Sequence, residues 1–396
     1  MTNQFYTNNG VTMDEATSLD TLQKILNSKK IRYEVLDQLF KLRLAGQGGK
    51  TINIFIDHQS VIKQLYTPEL LPLFTALNVQ NRLVVASELI NIVGHYRHYF
   101  ASRLKMYTNF YYIYSYEEAK YHKNLYPDYK SDYYFKRLAQ PGSTVIYGAA
   151  HKCFTSNLSI ARSVTNYIPH AYFIDTKDIE PALLPRYIIE NKAQEEDYNL
   201  ILSNDEAYYQ DLVLPNTMIL EMRGSEKSEL IDMLNVVDIS LRGGKKTSTD
   251  FPSIDVTFLE TVMGMISNKT YDLPSIARRG YGTAYGLIEK LVQKNEIEPF
   301  RLPNLEYSKS LAPLFFKGNV EQEALYKLHL EVLSHKDAVE KLSYQIKPLL
   351  ESQLIDFYNP QELRQASDGA FNKFPILFDY AYEGEMLRWP KANPTD

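Results

Sequence analysis

Apolar residues recur at helical spacing over the first part of the chain. Leu19, Leu22, Ile25 and Leu26 follow the capping residues Thr17, Ser18 and Asp20, and a second run passes through Ile31, Val35, Leu36, Leu39, Phe40, Leu42 and Leu44 until Gly46, Gly48 and Gly49 stop it. The period then shortens. Thr-Ile-Asn-Ile-Phe-Ile-Asp over 51–57 is a β-branched run that predicts a buried strand closing on Asp57. Leu65, Leu70, Leu71, Phe74, Leu77, Val84, Leu89, Ile90 and Val93 predict mainly helix over 60–106, and a tyrosine-rich stretch fills 107–137. Further strands are predicted at 144–147, 171–175, 198–205 and 217–224, with helices at 177–193 and 207–213 between them. Strands alternating with helices predict an α/β fold, a parallel sheet with helices on both faces. After a basic connection at 241–252 come a helix at 256–267, a helix, glycine hairpin and helix over 273–294, and long helical segments over 319–355.

Predicted strands lead into Asp57, Asp175 and Asp205. Open parallel sheets bind ligands outside the carboxyl ends of their strands. An acid at a strand end also caps the next helix, and for Asp175 capping is the better-supported reading. If Asp57, Asp175, Asp178, Glu180 and Asp205 converge, their charge suits Mg²⁺ or Mn²⁺, hard ions that take oxygen ligands.

Composition narrows the field. The 396 residues carry a formal charge of −5, with 44% hydrophobic and 23% charged residues, so nucleic-acid contact needs a local basic surface. The single cysteine, Cys153, excludes an internal disulfide and points to a reducing cytoplasm. No apolar run approaches the roughly 20 residues of a membrane span, and the first residues read as a polar tail, not a signal peptide. Tyrosines outnumber tryptophan 31 to 1, largely a compositional bias. Between 103 and 137 they interleave with Arg103, Lys105, Lys120, His122, Lys123, Lys130, Lys136 and Arg137. Such a mixture suits a surface that tracks a single strand and stacks on its bases, or equally an aromatic core element with a charged face. Arg278-Arg279-Gly280-Tyr281-Gly282 lets backbone approach a phosphate at a helix start, or is a plain helix–helix turn.

Taken in order, these parts resemble the 5′-nuclease superfamily, the phage and bacterial 5′–3′ exonucleases and flap endonucleases with a PIN-like sheet. The matching segments are the strand ending in Asp57, Leu-Tyr-Pro-Asp-Tyr-Lys-Ser-Asp over 125–132, Asp178-Ile179-Glu180-Pro181, Asn204-Asp205-Glu206-Ala207-Tyr208-Tyr209-Gln210, and the glycine hairpin within 264–294. The resemblance implies a nuclease domain over 51–305, with a helical arch over 107–137 and a helix–three-turn–helix element over 256–294, between helical extensions at 1–50 and 306–396. It implies catalysis by Asp57, Glu180, Asp205 and Lys130, with one or two Mg²⁺ or Mn²⁺ ions on Asp57, Asp178, Glu180 and Asp205. DNA with a single-stranded 5′ end or flap would contact Tyr129, Lys130, His122, Lys123, Arg278, Arg279, Gly280 and Gly282, and the extensions offer surfaces for other proteins. The chain also departs from the family: Ser115, Pro181, Ala207, Met265 and Asn268 stand where acids are expected, and His122 and Tyr133 where arginines are. Two functions follow as expectations. One is a divergent phage-like nuclease acting in replication or recombination with weak, Mn²⁺-favoured turnover; the other is a catalytically degenerate DNA-binding or scaffold protein.

Overall fold

Strand-forming runs at four of the predicted places, and two more at 107–114 and 229–231, assemble into a single six-stranded sheet. The computed structural model describes residues 30–60, 91–115, 118–130, 158–166, 170–222, 227–242, 244–266, 271–274, 280–298 and 305–354, with a few isolated positions elsewhere. The strand predicted at 144–147, Cys153, Arg278 and Arg279 lie outside the described residues. The sheet strands are β1 (Thr51–Asp57), β2 (Tyr107–Tyr114), β3 (Ala171–Asp175), β4 (Tyr198–Leu202), β5 (Thr217–Glu221) and β6 (Glu229–Ile231). Their order is β3-β2-β1-β4-β5-β6, parallel throughout except for the β5–β6 pair. The chain thus builds outward from β1 on one side and returns to build on the other, which places the topological switch point between the carboxyl ends of β1 and β4.

The period-2 alternation of β1 divides the molecule into two cores. Ile52, Ile54 and Ile56 pack on one face with helix α1 (Tyr33–Phe40), while Phe55 enters the other face. The helices that follow include α2 (Lys120–Leu125), α3 (Leu158–Asn166), α4 (Leu183–Asn191), α5 (Leu259–Met265), α6 (Tyr281–Gln293), α7 (Val320–Leu333) and α8 (His335–Gln353). A 3-10 helix over Glu206–Val213 follows β4.

Two expectations change. Residues 107–114 are no part of an arch: they form β2, with Tyr112 and Tyr114 buried in one core and Tyr111 in the other. A parallel strand covered on both faces has no polar side, and aromatic residues suit it, so the tyrosines record burial and not base stacking. Residues 320–354 do not stand apart as an extension either. Helix α8 packs on α4 and β3, and the Gln353 amide donates to Asp175 O (3.0 Å) and accepts from Asp175 N (2.8 Å). At Gly264, α5 approaches α7 so closely that a Cβ would lie 2.7 Å from Leu330 Cδ2.

Two polar networks complete the frame. Asn109, Asn53 and Asn199 sit side by side on β2, β1 and β4; Asn109 Nδ2 donates to Asn53 Oδ1 (2.9 Å) and Asn53 Nδ2 to Asn199 Oδ1 (3.1 Å). On the opposite flank, Asp211 of the 3-10 helix is fully buried between Arg186 Nη1 (3.0 Å) on α4 and His335 Nδ1 (2.7 Å) at the start of α8. Its neighbour Gln210 donates to Leu333 O (2.8 Å) and accepts from His335 N (2.9 Å), so the turn between α7 and α8 is fastened to the end of the sheet.

Candidate functional site

Strand-ending acids share one local geometry. Asp57 Oδ1 accepts from Gln59 N (3.1 Å), Asp175 Oδ1 from Lys177 N (3.2 Å) and Asp205 Oδ1 from Ala207 N (3.0 Å). Each is an Asx turn, in which a short carboxylate replaces a backbone acceptor and swings the chain out of the sheet. The second oxygens are engaged as well. Asp57 Oδ2, at the switch point, accepts from Ser60 Oγ (2.7 Å) and Ser203 Oγ (2.8 Å), so side chains from the two sides of the crevice stitch β1 to β4. Asp175 Oδ2 pairs with Arg162 (2.6 Å), and Asp205 Oδ2 accepts from the Tyr271 hydroxyl (2.9 Å).

Glu180 lies just beyond β3 and is buried. Tyr129 OH donates to its Oε2 (2.9 Å) and Lys130 Nζ to its Oε1 (2.7 Å). Burial alone pushes this carboxyl up, but the Lys130 charge, a smaller electrostatic effect of His122 and the two hydrogen bonds outweigh it, and the net shift is downward. The Lys130 ammonium also faces two rings, 4.7 Å from the Tyr271 centroid and 5.6 Å from that of Tyr129. Burial, and then the neighbouring carboxylates, hold the phenols of Tyr129, Tyr208 and Tyr271 well above their ordinary range, so all three remain protonated. Asp57, Asp205 and Glu180, in that order, are the charges acting most strongly on buried Tyr208.

The acids predicted to act together therefore occupy one region, but not one point. Among the described residues, no three His, Cys, Asp or Glu side chains are arranged to hold a metal ion. Asp178 turns to Lys120 Nζ (2.7 Å). Ala207 and Met265, at positions where the resemblance leads one to expect acids, are buried apolar residues in the packing beneath the site. With both oxygens of Asp57, Glu180 and Asp205 accepting from protein donors, these residues do not fit a centre of one or two Mg²⁺ ions, whose octahedral shell needs several oxygens aimed at the same place.

The expected nucleic-acid contacts divide likewise. His122 and Tyr129 are buried, 2% and 1% exposed, and stack on each other with centroids 4.8 Å apart; neither presents a ring to a base. Lys123 reaches Pro127 O (3.3 Å) and Glu118 (3.5 Å). The first arm of the predicted hairpin is not helical at 273, 274 and 276; the helices of this element are α5 and α6. Gly280 is the N-cap of α6 and Gly282 lies in its first turn. Here the structure adds what the sequence reading missed. The basic connection around 241–246 folds against α6 and makes a groove of about 740 Å³ lined by Arg242, Lys245, Lys246, Lys290, Gly280 and Gly282, with no acidic side chain in its lining. The signal was present in Lys245-Lys246, but nothing in the sequence joined that loop to the glycines 35 residues further on.

His122 carries a pH prediction. Burial lowers its pKa to about 4, against an opposing effect of Glu180 and with smaller lowering by Lys130 and His335. The imidazole is neutral in the folded protein but takes a proton in the unfolded chain below about pH 6.5, so its contribution is complete above that pH and is lost as pH falls toward 4. The loss amounts to about 3 kcal/mol for this residue. Denaturant unfolding at pH 7 and pH 4.5 should show a smaller difference for His122→Phe than for the parent; an unchanged difference would assign the acid sensitivity to other groups.

No family model and no curated protein matches this sequence. Solved structures do show similarity. A flap endonuclease of bacteriophage T5, D15, in a complex with DNA and metal ions, is 12% identical, with a TM-score of 0.49 over 76% of this chain and 99% of its own. The T5 D15 protein co-crystallised with metal ions is 11% identical, with a TM-score of 0.48 over 76% of this chain and 96% of its own. T5 5′-exonuclease with bound zinc is also 11% identical, with a TM-score of 0.46 over 75% and 99%. The likeness is one of chain course at low identity.

Proposed function

We propose that this protein binds DNA through the groove at the start of α6, on a 5′-nuclease-like scaffold whose acidic sheet edge has become structural. The observation that supports the binding surface is the groove itself. Lysines from two elements converge on bare backbone: a Cβ at Gly280 would meet nothing within 4 Å, so a phosphate could approach the first turn closely. A helix start leaves N–H groups without helical partners and carries partial positive charge, which suits phosphate oxygens. Arg242 is occupied by Glu221 (3.2 Å) and Glu229, so it braces the groove, and Lys245, Lys246 and Lys290 carry the binding charge. Duplex DNA with a 5′ end or flap is the substrate class that the family resemblance brings to this reading.

Asp57 and Asp205 meet at the Ser203 hydroxyl, which donates to Asp57 Oδ2 and accepts from Asp205 N, and Tyr129 and Tyr271 link Glu180 to Asp205; this proximity favours a second reading, a weak Mn²⁺-assisted nuclease. One experiment separates them: binding of a labelled flap duplex in EDTA, beside cleavage of the same duplex in Mg²⁺ and Mn²⁺. Full binding in EDTA with no product in either metal is expected. Robust product that disappears in Asp57→Ala and Asp205→Ala would overturn the proposal in favour of the nuclease, and no binding in any buffer would overturn both.

A further inference from the structure

The Lys130 side chain is an unusual occupant for an acidic sheet edge. It is the residue after Tyr129 in a tight turn, has a positive φ of 51°, and donates its backbone N–H to Tyr271 O at 3.3 Å. This left-handed backbone is disfavoured for a non-glycine residue, and it persists where surrounding contacts determine it. Those contacts are at the far end of the side chain. Only 11% of it is exposed, and its ammonium lies 2.7 Å from a Glu180 oxygen, itself 5% exposed, with the faces of Tyr271 and Tyr129 at 4.7 and 5.6 Å. A carboxylate with aromatic faces around it is a cage for an ammonium group. While Lys130 holds Glu180 Oε1 and Tyr129 donates to Oε2, both carboxylate oxygens are engaged by protein donors and none is left open to Mg²⁺ or Mn²⁺.

We infer that the Lys130 ammonium is the resident cation of this edge, tethered where it balances Glu180 and keeps a divalent ion out. Removing it leaves a buried, hydrogen-bonded carboxylate without a counter-charge, close to Asp205 through the Tyr129 and Tyr271 rings, which are tilted to one another with centroids 5.3 Å apart. Such a carboxylate is a vacancy for a free cation. The inference rests on the reading of the acidic edge as structural; its test uses no DNA, so it can fail while DNA binding stands.

The test is a Mn²⁺ titration of the full chain, followed by the electron paramagnetic resonance of free Mn²⁺ and by thermal unfolding. The parent protein is expected to show no saturable binding. Lys130→Ala should bind one Mn²⁺ per chain and gain about 4 °C in Tm at roughly a hundred times its Kd. Both gains should vanish in Lys130→Ala/Glu180→Gln. Saturable Mn²⁺ binding by the parent that Glu180→Gln abolishes would overturn the inference, as would a folded Lys130→Ala that binds nothing. A second measurement needs no variant and decides the matter if Lys130→Ala does not fold. Reductive methylation of the native parent, read by peptide mass spectrometry, should leave Lys130 unmodified while Lys120, with 73% of its side chain exposed, is modified completely. Equal modification of the two lysines would show that the ammonium is not held.

Discussion

Replacing Asp211 by alanine is expected to lower the unfolding free energy by about 3 kcal/mol, because buried Arg186 Nη1 and the His335 ring lose the carboxylate they share, while Arg186 Nε keeps only the half-buried Glu190 at 2.9 Å. Arg186 is 5% exposed and His335 4%, so neither can recover the lost interaction from water. The three groups come from α4, the 3-10 helix and the start of α8, and their separation along the chain means the effect cannot be local. Urea unfolding followed by circular dichroism measures it. Asp211→Asn, which keeps an acceptor for Arg186, should cost less than Asp211→Ala. Equal and small losses, under about 1 kcal/mol, would show that the network adds nothing beyond the packing around it.

The second large effect concerns DNA. Each lysine that neutralises a phosphate contributes about 0.9 to the slope of log K against log salt. Changing Lys245, Lys246 and Lys290 together to glutamine should therefore reduce that slope by about 2.7 and weaken binding roughly 500-fold at about 0.1 M monovalent salt. Fluorescence anisotropy on a flap duplex across a salt series reads both quantities. Glu180→Gln, at the sheet edge, should leave the slope unchanged. If the triple variant keeps the parent slope, DNA follows another face of the molecule.

Much of the scaffold was legible because its signals are local. The alternation in 51–57, the run at 198–202 and the helical spacing at 320–353 each encode burial directly, and the structure has β1, β4, α7 and α8 there. The tyrosines of β2 were ambiguous for a physical reason: a strand covered on both faces loses the period that identifies it. The acids were ambiguous for another. An aspartate at a strand end gives the same sequence whether it faces a ligand or closes an Asx turn, and Asp57, Asp175 and Asp205 all do the latter. The partners that decide their roles, Ser203 for Asp57, Arg162 for Asp175 and Tyr271 for Asp205, stand between 13 and 146 residues away from them. Only the folded chain brings them together, and the same holds for the lysines of the groove.

The row of asparagines across β2, β1 and β4, with Asn53 and Asn199 buried and Asn109 half-buried, has a consequence for how the sheet finds its alignment. A strand that slips by one residue turns its apolar side chains to the wrong face, and the two cores penalise it at once. A slip by two keeps every side chain on its proper face and escapes that penalty. It would, however, set Asn53 opposite Tyr107 or Tyr111 on one side and Ile201 or Asp197 on the other. The amide chain would break, and each buried amide left without a partner costs about 1–3 kcal/mol. The hydrophobic pattern thus rejects odd misalignments and the asparagines reject even ones, as two keys cut for different wards of one lock. Parallel strands joined by long crossovers are slow to pair and sample wrong registers on the way, so this chain carries its proofreading in three side chains.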